Sequence, residues 1–205
     1  MGWVSVGVLL IALAAGVATV AVYAATGVPA LPTSPRVLGP LLVLVDRMPR
    51  RRVVDLGSGY GTLVLAVAQR CPRAVVTGYE VSPVPYLISK LRVWLARLPN
   101  ASIRYGNCFD VQLDQVDLAL CYLTRKPMAR LREKLEVELS LGAELICHTF
   151  AVPDWEPIEF IQAKDLYHTR VYRYARPQEA RPSARHPWMD PPARSETKRP
   201  GLLEA

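Results

Sequence analysis

The chain opens with a long apolar stretch and then changes to alternating apolar and amphipathic segments. No charged side chain precedes Arg36, and residues 3–25 are almost wholly Val, Leu, Ile, Ala and Gly. A helix of about 20 apolar residues is long enough to cross the hydrocarbon core of a bilayer. The pattern therefore predicts a transmembrane anchor over residues 1–26, with Trp3 and Tyr23 near its ends, where aromatic rings prefer the membrane interface.

The segment after the anchor is predicted to connect it to a folded domain. Residues 27–50 hold a Pro-rich linker and then a short amphipathic helix near residues 37–48, which Pro40 interrupts early. Strand-like apolar runs follow at residues 52–56, 74–79, 102–105, 116–122 and 143–149. Helical spacing occurs at residues 60–70, 83–98 and 126–139, and in the second of these helices one face holds Leu87, Leu91, Trp94, Leu95 and Leu98.

This order of elements predicts one α/β domain over residues 51–176. Strands that alternate with helices imply a mostly parallel sheet with helices on both faces. Residues 158–175 alternate loosely and would add a closing hairpin, which makes seven strands in all. Residues 177–205 are rich in Pro, Arg, Ser and Glu, and are predicted to form a disordered basic tail.

The chain of 205 residues is basic, with a formal net charge of +7. Such a balance suits nucleic acid or an anionic membrane as a partner. The cations that follow the apolar run would face anionic lipid, and they are Arg36, Arg47, Arg50, Arg51 and Arg52. With other basic residues in the tail, this placement favours the bilayer as the partner and predicts no nucleic-acid binding.

The same cations predict the orientation of the chain. None precedes the apolar run, so the positive-inside rule gives a single-pass membrane protein with its folded domain on the cytoplasmic side. A cleaved signal peptide is the alternative, and the missing N-terminal Lys or Arg and the length of the run argue against it.

A glycine-rich turn follows the first predicted strand. The sequence there is Asp55-Leu56-Gly57-Ser58-Gly59-Tyr60-Gly61. Glycine lets a backbone turn sharply and approach a ligand closely, and the following helix directs its N-terminal amides at that ligand. The spacing D-x-G-x-G-x-G differs from the G-x-G-x-x-G of dinucleotide-binding proteins. It is the form used by class I, Rossmann-like methyltransferases, and it predicts that residues 55 and 57–61 bind S-adenosylmethionine (SAM).

Two further loops are predicted to complete the cofactor site. Glu80 ends the second strand, where a carboxylate can accept hydrogen bonds from both ribose hydroxyls, although a helix N-terminal acid is the alternative. Asn107, Cys108 and Phe109 follow the third strand and would lie beside the adenine, unless they form an ordinary polar turn.

Two residues at the ends of later strands are candidates for the chemical step. Tyr122 follows the fourth strand and His148 ends the fifth, at the sheet edge where open α/β proteins bind ligands. Each could instead be a structural side chain. No pair of cysteine and histidine has metal-ligand spacing, so no metal site is predicted.

Several segments resemble the family of the ATP synthase c-subunit lysine methyltransferase and its prokaryotic relatives. They are VPALPT (28–33), VVDLGSGYG (53–61), GYEVSP (78–83) and KLEVELSLGAELICHTFAVPDWEP (134–157). The chain departs from the family pattern at Tyr60 and Thr62, where an acid and an arginine are usual, and it lacks an aromatic residue near Ala30. The resemblance implies a SAM-dependent protein-lysine methyltransferase, with Trp155 either walling a substrate channel or packing its loop.

The resemblance and the predicted anchor together imply a membrane-associated protein as substrate. A lipid or small-molecule methyltransferase at the same membrane shares every cofactor residue and is an alternative. A non-catalytic SAM-binding protein is another, and the departure at Tyr60 motivates it.

Overall fold

The computed structural model describes residues 2–26 and 32–176. Five helices lie in this part of the chain: α1 (Trp3–Thr26), α2 (Pro35–Val45), α3 (Thr62–Arg70), α4 (Pro83–Ala96) and α5 (Arg125–Glu138). The strands are β1 (Arg52–Leu56), β2 (Val75–Glu80), β3 (Ala101–Tyr105), β4 (Leu118–Cys121), β5 (Glu144–His148), β6 (Glu159–Gln162) and β7 (Arg170–Ala175).

The strands form one seven-stranded sheet in the order β3-β2-β1-β4-β5-β7-β6. The first five strands are parallel, and β7 and β6 add an antiparallel hairpin at one side. The predicted Rossmann-like fold with a mostly parallel sheet is therefore confirmed, including the closing hairpin.

Two hydrophobic clusters cover the two faces of the sheet. The cluster on one face includes Leu41 and Leu44 from α2 and Val64 and Val67 from α3. The cluster on the other face is centred on α5 and contains Leu131 and other fully buried side chains. Because both faces are covered, β4 and β5 are buried along their whole length, which explains their continuous apolar sequence.

The structure differs from the predicted helices most clearly at the glycine turn and at Pro40. The helix after the glycine turn begins at Thr62 rather than at residue 60, because Gly61 has a left-handed φ of 75° and ends the turn. Pro40 does not interrupt α2, which runs from Pro35 to Val45. Its missing N–H removes one helical hydrogen bond, and the buried apolar face of the helix, on the sheet and α3, offsets that loss.

Two of the cations after the anchor form ion pairs within the domain, so the prediction that they face lipid is not confirmed. Arg50 is 7% exposed, and its guanidinium lies 2.5 Å from the Glu144 carboxylate. Arg47 pairs with Glu159. These ion pairs join the start of β1 and the end of α2 to the hairpin side of the sheet.

The first helix, α1, carries many exposed apolar side chains and packs in part against α4. Within the described residues, no helix has both the length and the apolar character needed to span a membrane. The predicted transmembrane anchor is thus not confirmed. Residues 27–31 of the predicted linker and the whole predicted tail, 177–205, lie outside the described residues.

Candidate functional site

The strand register brings three candidate loops side by side. Leu56 of β1 is opposite Cys121 of β4, and Cys121 is opposite Cys147 of β5. The next residues along these strands, Gly57, Tyr122 and His148, therefore lie together at the carboxyl edge of the sheet. This is the edge at which open α/β sheets bind their ligands.

The glycine turn is fixed by backbone hydrogen bonds and by a need for small residues. The N–H groups of Gly57 and Ser58 both donate to the Tyr79 carbonyl, at 3.0 and 2.9 Å. Gly61 has a φ of 75°, and a Cβ there would lie 3.0 Å from the Cβ of Ser89 on α4. A side chain at this position would be strained both by its backbone angle and by this contact.

Glu80 holds the turn from the end of β2. One of its carboxylate oxygens accepts a hydrogen bond from the Gly59 N–H at 2.7 Å, and the other accepts from the Ser82 N–H at 2.8 Å. Glu80 thus joins the glycine turn to the start of α4. These contacts put the carboxylate beside the turn, as the sequence predicted, and its bonds to the ribose stay a prediction.

Asp55 is buried at the end of β1, where its carboxyl group meets little solvent. Burial and the nearby Glu80 carboxylate raise the pKa of Asp55 to about 8. Among the described residues, the Oδ2 of Asp55 and the Oγ of Ser58 are buried without a hydrogen-bond partner. Buried polar atoms normally have hydrogen-bond partners. Two such atoms without a partner beside the turn therefore fit the binding of a polar ligand, such as the amino-acid part of SAM.

The loop after β3 is ordered by its own backbone. The Oδ1 of Asn107 accepts a hydrogen bond from the Phe109 N–H at 3.1 Å and so caps a short 3-10 helix, Cys108–Asp110. The Gly106 N–H donates to the Glu80 carbonyl, which brings the loop to the cofactor edge. Burial raises the pKa of the Cys108 thiol to about 11 and keeps it protonated. These contacts favour the polar-turn interpretation of Asn107, and the predicted adenine contacts stay a prediction.

Tyr122 and His148 form a stacked pair beside the glycine turn. Their ring centroids are 4.1 Å apart, with an angle of 28° between the planes. The Nε2 of His148 lies 3.2 Å from the hydroxyl of Thr33, and its Nδ1 lies 3.1 Å from that of Thr149. Burial lowers the pKa of His148 to about 4, so the imidazole is neutral at physiological pH.

Trp155 belongs to the hydrophobic cluster between α5 and the sheet. It is 8% exposed, its indole N–H donates to Glu136 on α5 at 3.0 Å, and its ring packs against Tyr174. These are the contacts of a residue that packs its loop against the sheet. They give no support to the predicted role of Trp155 in a substrate channel.

Three residues at the site were missed by the sequence reasoning. Thr33 belongs to the Pro-Thr segment that carried the family resemblance, but that segment gave no sign of a contact with β5. Gly78 lies inside β2, and a Cβ there would come within 2.7 Å of Ser58 and Val64. A glycine inside a strand was the available signal for such a close approach. Arg92 of α4 donates to the Tyr60 carbonyl, at the position where the chain departs from the family.

The fold and the glycine turn define a class I SAM-dependent methyltransferase, and comparison with known proteins gives the family. The chain belongs to the family described as the ANTKMT methyltransferase domain, whose model matches residues 55–159. This result confirms the predicted relationship to the lysine methyltransferases.

Three characterised relatives illustrate the family. The mouse adenine nucleotide translocase lysine N-methyltransferase is 32% identical over 65% of this chain and 58% of its own length. A protein-lysine N-methyltransferase from Saccharolobus islandicus is 29% identical over 72% of this chain and 92% of its own. The mouse ATP synthase c-subunit lysine N-methyltransferase is 35% identical over 55% of this chain and 47% of its own. The chain thus spans about half the length of the mouse relatives.

Solved structures agree on the fold and the cofactor. An RNA methyltransferase from Salinibacter ruber, in complex with S-adenosyl-L-homocysteine, has a TM-score of 0.67 and 27% identity over 74% of this chain and 97% of that one. A tRNA methyltransferase from Bacillus subtilis has a TM-score of 0.55 at 15% identity, over 67% of this chain and 65% of that one, and shows the fold alone.

Proposed function

We propose that the chain transfers the methyl group of SAM to lysine side chains of a protein. The observation that carries the proposal is the stack of Tyr122 on a neutral His148 beside the glycine turn. The relatives named as lysine N-methyltransferases support the choice of acceptor.

The cofactor is held by the residues of the turn. The unpaired Asp55 and Ser58 oxygens suit its amino-acid part, and Glu80 suits its ribose. SAM supplies a methyl group already activated on a sulfonium, so the protein mainly has to position the acceptor.

Tyr122 and His148 shape the region that receives the acceptor amine. A protonated imidazole there would repel both the sulfonium and an incoming lysine. Burial keeps His148 neutral down to about pH 4 and so removes that repulsion. The flat face formed by the stacked rings can guide the apolar stem of a lysine towards the turn.

His148 is not suited to act as the general base. A group with a pKa of about 4 does not take a proton from a lysine ammonium near neutral pH. The lysine must therefore lose its proton to water, and transfer from water into a partly dry site lowers its own pKa and favours this loss. In this mechanism the stacked pair of Tyr122 and His148 positions the acceptor, and Thr33 positions His148.

We propose further that the enzyme works at a membrane, with its domain on the cytoplasmic side and a membrane-associated protein as substrate. The uncharged residues 1–35 and the exposed apolar side chains of α1 support attachment through this end of the chain. A relative named for adenine nucleotide translocase and one named for the ATP synthase c-subunit support a protein acceptor.

A labelling experiment tests the acceptor. The full chain is incubated with methyl-labelled SAM and three fractions of the same cells: membrane proteins, extracted lipids and RNA. Label in methyllysine after acid hydrolysis of the protein fraction supports the proposal. The RNA fraction is included because the Salinibacter relative is named as an RNA methyltransferase.

The control is Glu80→Ala, which removes the carboxylate that holds the glycine turn and should abolish labelling of every fraction. Label confined to lipid or to RNA contradicts lysine methylation. SAM binding without turnover on any fraction contradicts catalysis and supports the non-catalytic alternative.

A further inference from the structure

Helix α4 has its large apolar side chains on the outside. The buried face of α4 consists of Pro85, Ser89 and Val93. The opposite face, which we call the α4 apolar face, is exposed and consists of Leu87, Ile88, Leu91, Trp94 and Leu95. Helices that cover a sheet normally direct their large apolar residues inward. Trp94 is 72% and Leu91 54% exposed, so this surface is suited to a partner.

The charges around this face are of one sign. Residues 83–105, from the start of α4 to the end of β3, include four cations and no acidic residue. Arg92 is turned towards the glycine turn, where it contacts Tyr60 and Thr62. Lys90, Arg97 and Arg104 remain around the helix and the edge strand. A surface with exposed Leu and Trp next to Lys and Arg is typical of helices that lie in a membrane interface.

A groove of about 410 Å³ adjoins the α4 apolar face. Lys90 and Arg97 supply its cations, and Trp94, Leu98 and Ile103 supply apolar lining. This combination matches an anionic amphiphile, because a phosphate can lie between the two cations while acyl carbons follow the apolar side chains.

The α4 apolar face also lies beside the other apolar surface of the chain. α1 packs in part against α4, and exposed side chains such as Leu9, Leu13 and Val17 extend the apolar surface along α1. Contact with α1 leaves Leu87, Leu91 and Trp94 more than half exposed. A single lipid surface could therefore cover the exposed apolar side chains of both α1 and α4.

We propose that the α4 apolar face, with the groove beside it, binds the surface of an anionic phospholipid bilayer. Its apolar side chains enter the headgroup region, and Lys90 and Arg97 contact lipid phosphates. The proposal goes beyond lysine methylation and does not require α1 to span the membrane. Since α4 begins three residues after Glu80, this contact would hold the cofactor edge at a fixed orientation to the bilayer.

Trp94 itself is the probe for a test. The full chain is reconstituted into vesicles of phosphatidylcholine and phosphatidylserine that carry bromine on their acyl chains, which quenches nearby indoles. The emission of Trp94 is obtained as the difference between the emission of the parent chain and that of Trp94→Phe. The expected result is strong quenching of that emission in anionic vesicles and clearly weaker quenching when phosphatidylserine is omitted.

Two double variants separate the contact from general effects. Lys90→Glu with Arg97→Glu should reduce the quenching of Trp94 at least about threefold, because the anionic headgroups would repel the reversed charges. The matched control is Val137→Gln with Leu141→Gln, two exposed apolar residues on the other face of the sheet, and it should change nothing.

Thermal unfolding and SAM binding of each variant are measured to establish that it is folded. Equal quenching of the chain and of Trp94→Phe overturns the proposal. So does a Trp94 that is shielded from lipid by α1 or by a second copy of the chain, which a blue-shifted, unquenched emission would reveal. Quenching of Trp94 that the charge reversal leaves unchanged overturns the role of the two cations.

Discussion

Two carboxyl groups, those of Asp55 and Glu80, lie close together at the cofactor edge of β1 and β2. Glu80 is bonded to two backbone N–H groups, whereas one oxygen of Asp55 has no partner among the described residues. The unfolded chain releases the Asp55 proton near pH 3.8, but the folded chain retains it up to about pH 8. The stability from this group is therefore complete below pH 3.8 and is lost as the pH rises through 8.

Asp55→Asn should accordingly stabilise the cofactor-free chain at high pH. The amide cannot ionise, so at pH 8.5 the variant should melt at least about 3 °C above the parent, with a smaller difference at pH 5. Its affinity for SAM should fall, because the ammonium of bound SAM favours ionisation of the Asp55 carboxyl, and the amide cannot ionise. Thermal melts across this pH range check the result, with the exposed Asp114→Asn as control. A parent chain whose melting temperature rises between pH 5 and 8.5 relative to the variant contradicts it.

Thr33 tests the positioning of His148. Thr33→Val keeps the size of the side chain and removes the hydroxyl that lies 3.2 Å from the Nε2 of His148. Methyl transfer at saturating SAM should fall by about tenfold, equivalent to ~1.4 kcal/mol, while SAM affinity stays unchanged. The control is Thr77→Val, which removes a hydroxyl bonded to Ser102 at the other side of the sheet. Equal rates for parent and Thr33→Val would rule out the positioning role.

At the scale of elements, the approach of β2 to the glycine turn limits the size of residue 78. A Cβ at Gly78 would lie 2.7 Å from the Cβ of Ser58 and 2.7 Å from Val64. Gly78→Ala should therefore displace the turn and weaken SAM binding at least about tenfold, as titration calorimetry would show. Gly39→Ala is the control, because nothing lies within 4 Å of a Cβ there. Unchanged affinity in Gly78→Ala would mean that the turn does not need this close packing.

The amino end of β5, away from the cofactor edge, depends on a buried ion pair between Arg50 and Glu144. Burial opposes ionisation of Glu144, but hydrogen bonds from Arg173 and Arg50 bring its pKa below the ordinary value. Glu144→Gln leaves Arg50, whose side chain is 2% exposed, without its full counter-charge. The variant should lose about 3–5 kcal/mol of unfolding free energy in urea denaturation. Asp46→Asn, at an exposed pair with Arg70, should change stability little; similar losses in the two variants would contradict this difference.

At the scale of the whole molecule, the features that could be predicted from the sequence are those set by residues close together along the chain. The glycine turn, Glu80 and the alternation of strands and helices follow from backbone angles and apolar periodicity. The contact between Thr33 and His148, which are 115 residues apart, leaves no such pattern. Periodicity also grouped Leu87, Leu91 and Trp94 on one face of α4, but it could not tell that this face is directed outward. The burial of Arg50 was missed because its partner lies 94 residues further along the chain.

We propose that this chain methylates lysine in a membrane-associated protein. The most direct measurement is quantitative mass spectrometry of membrane proteins from cells with the gene, without it, and without it but complemented by Glu80→Ala. We expect at least one lysine whose methylation is present only when the intact gene is present. Identical lysine methylation in all three sets of cells would contradict it.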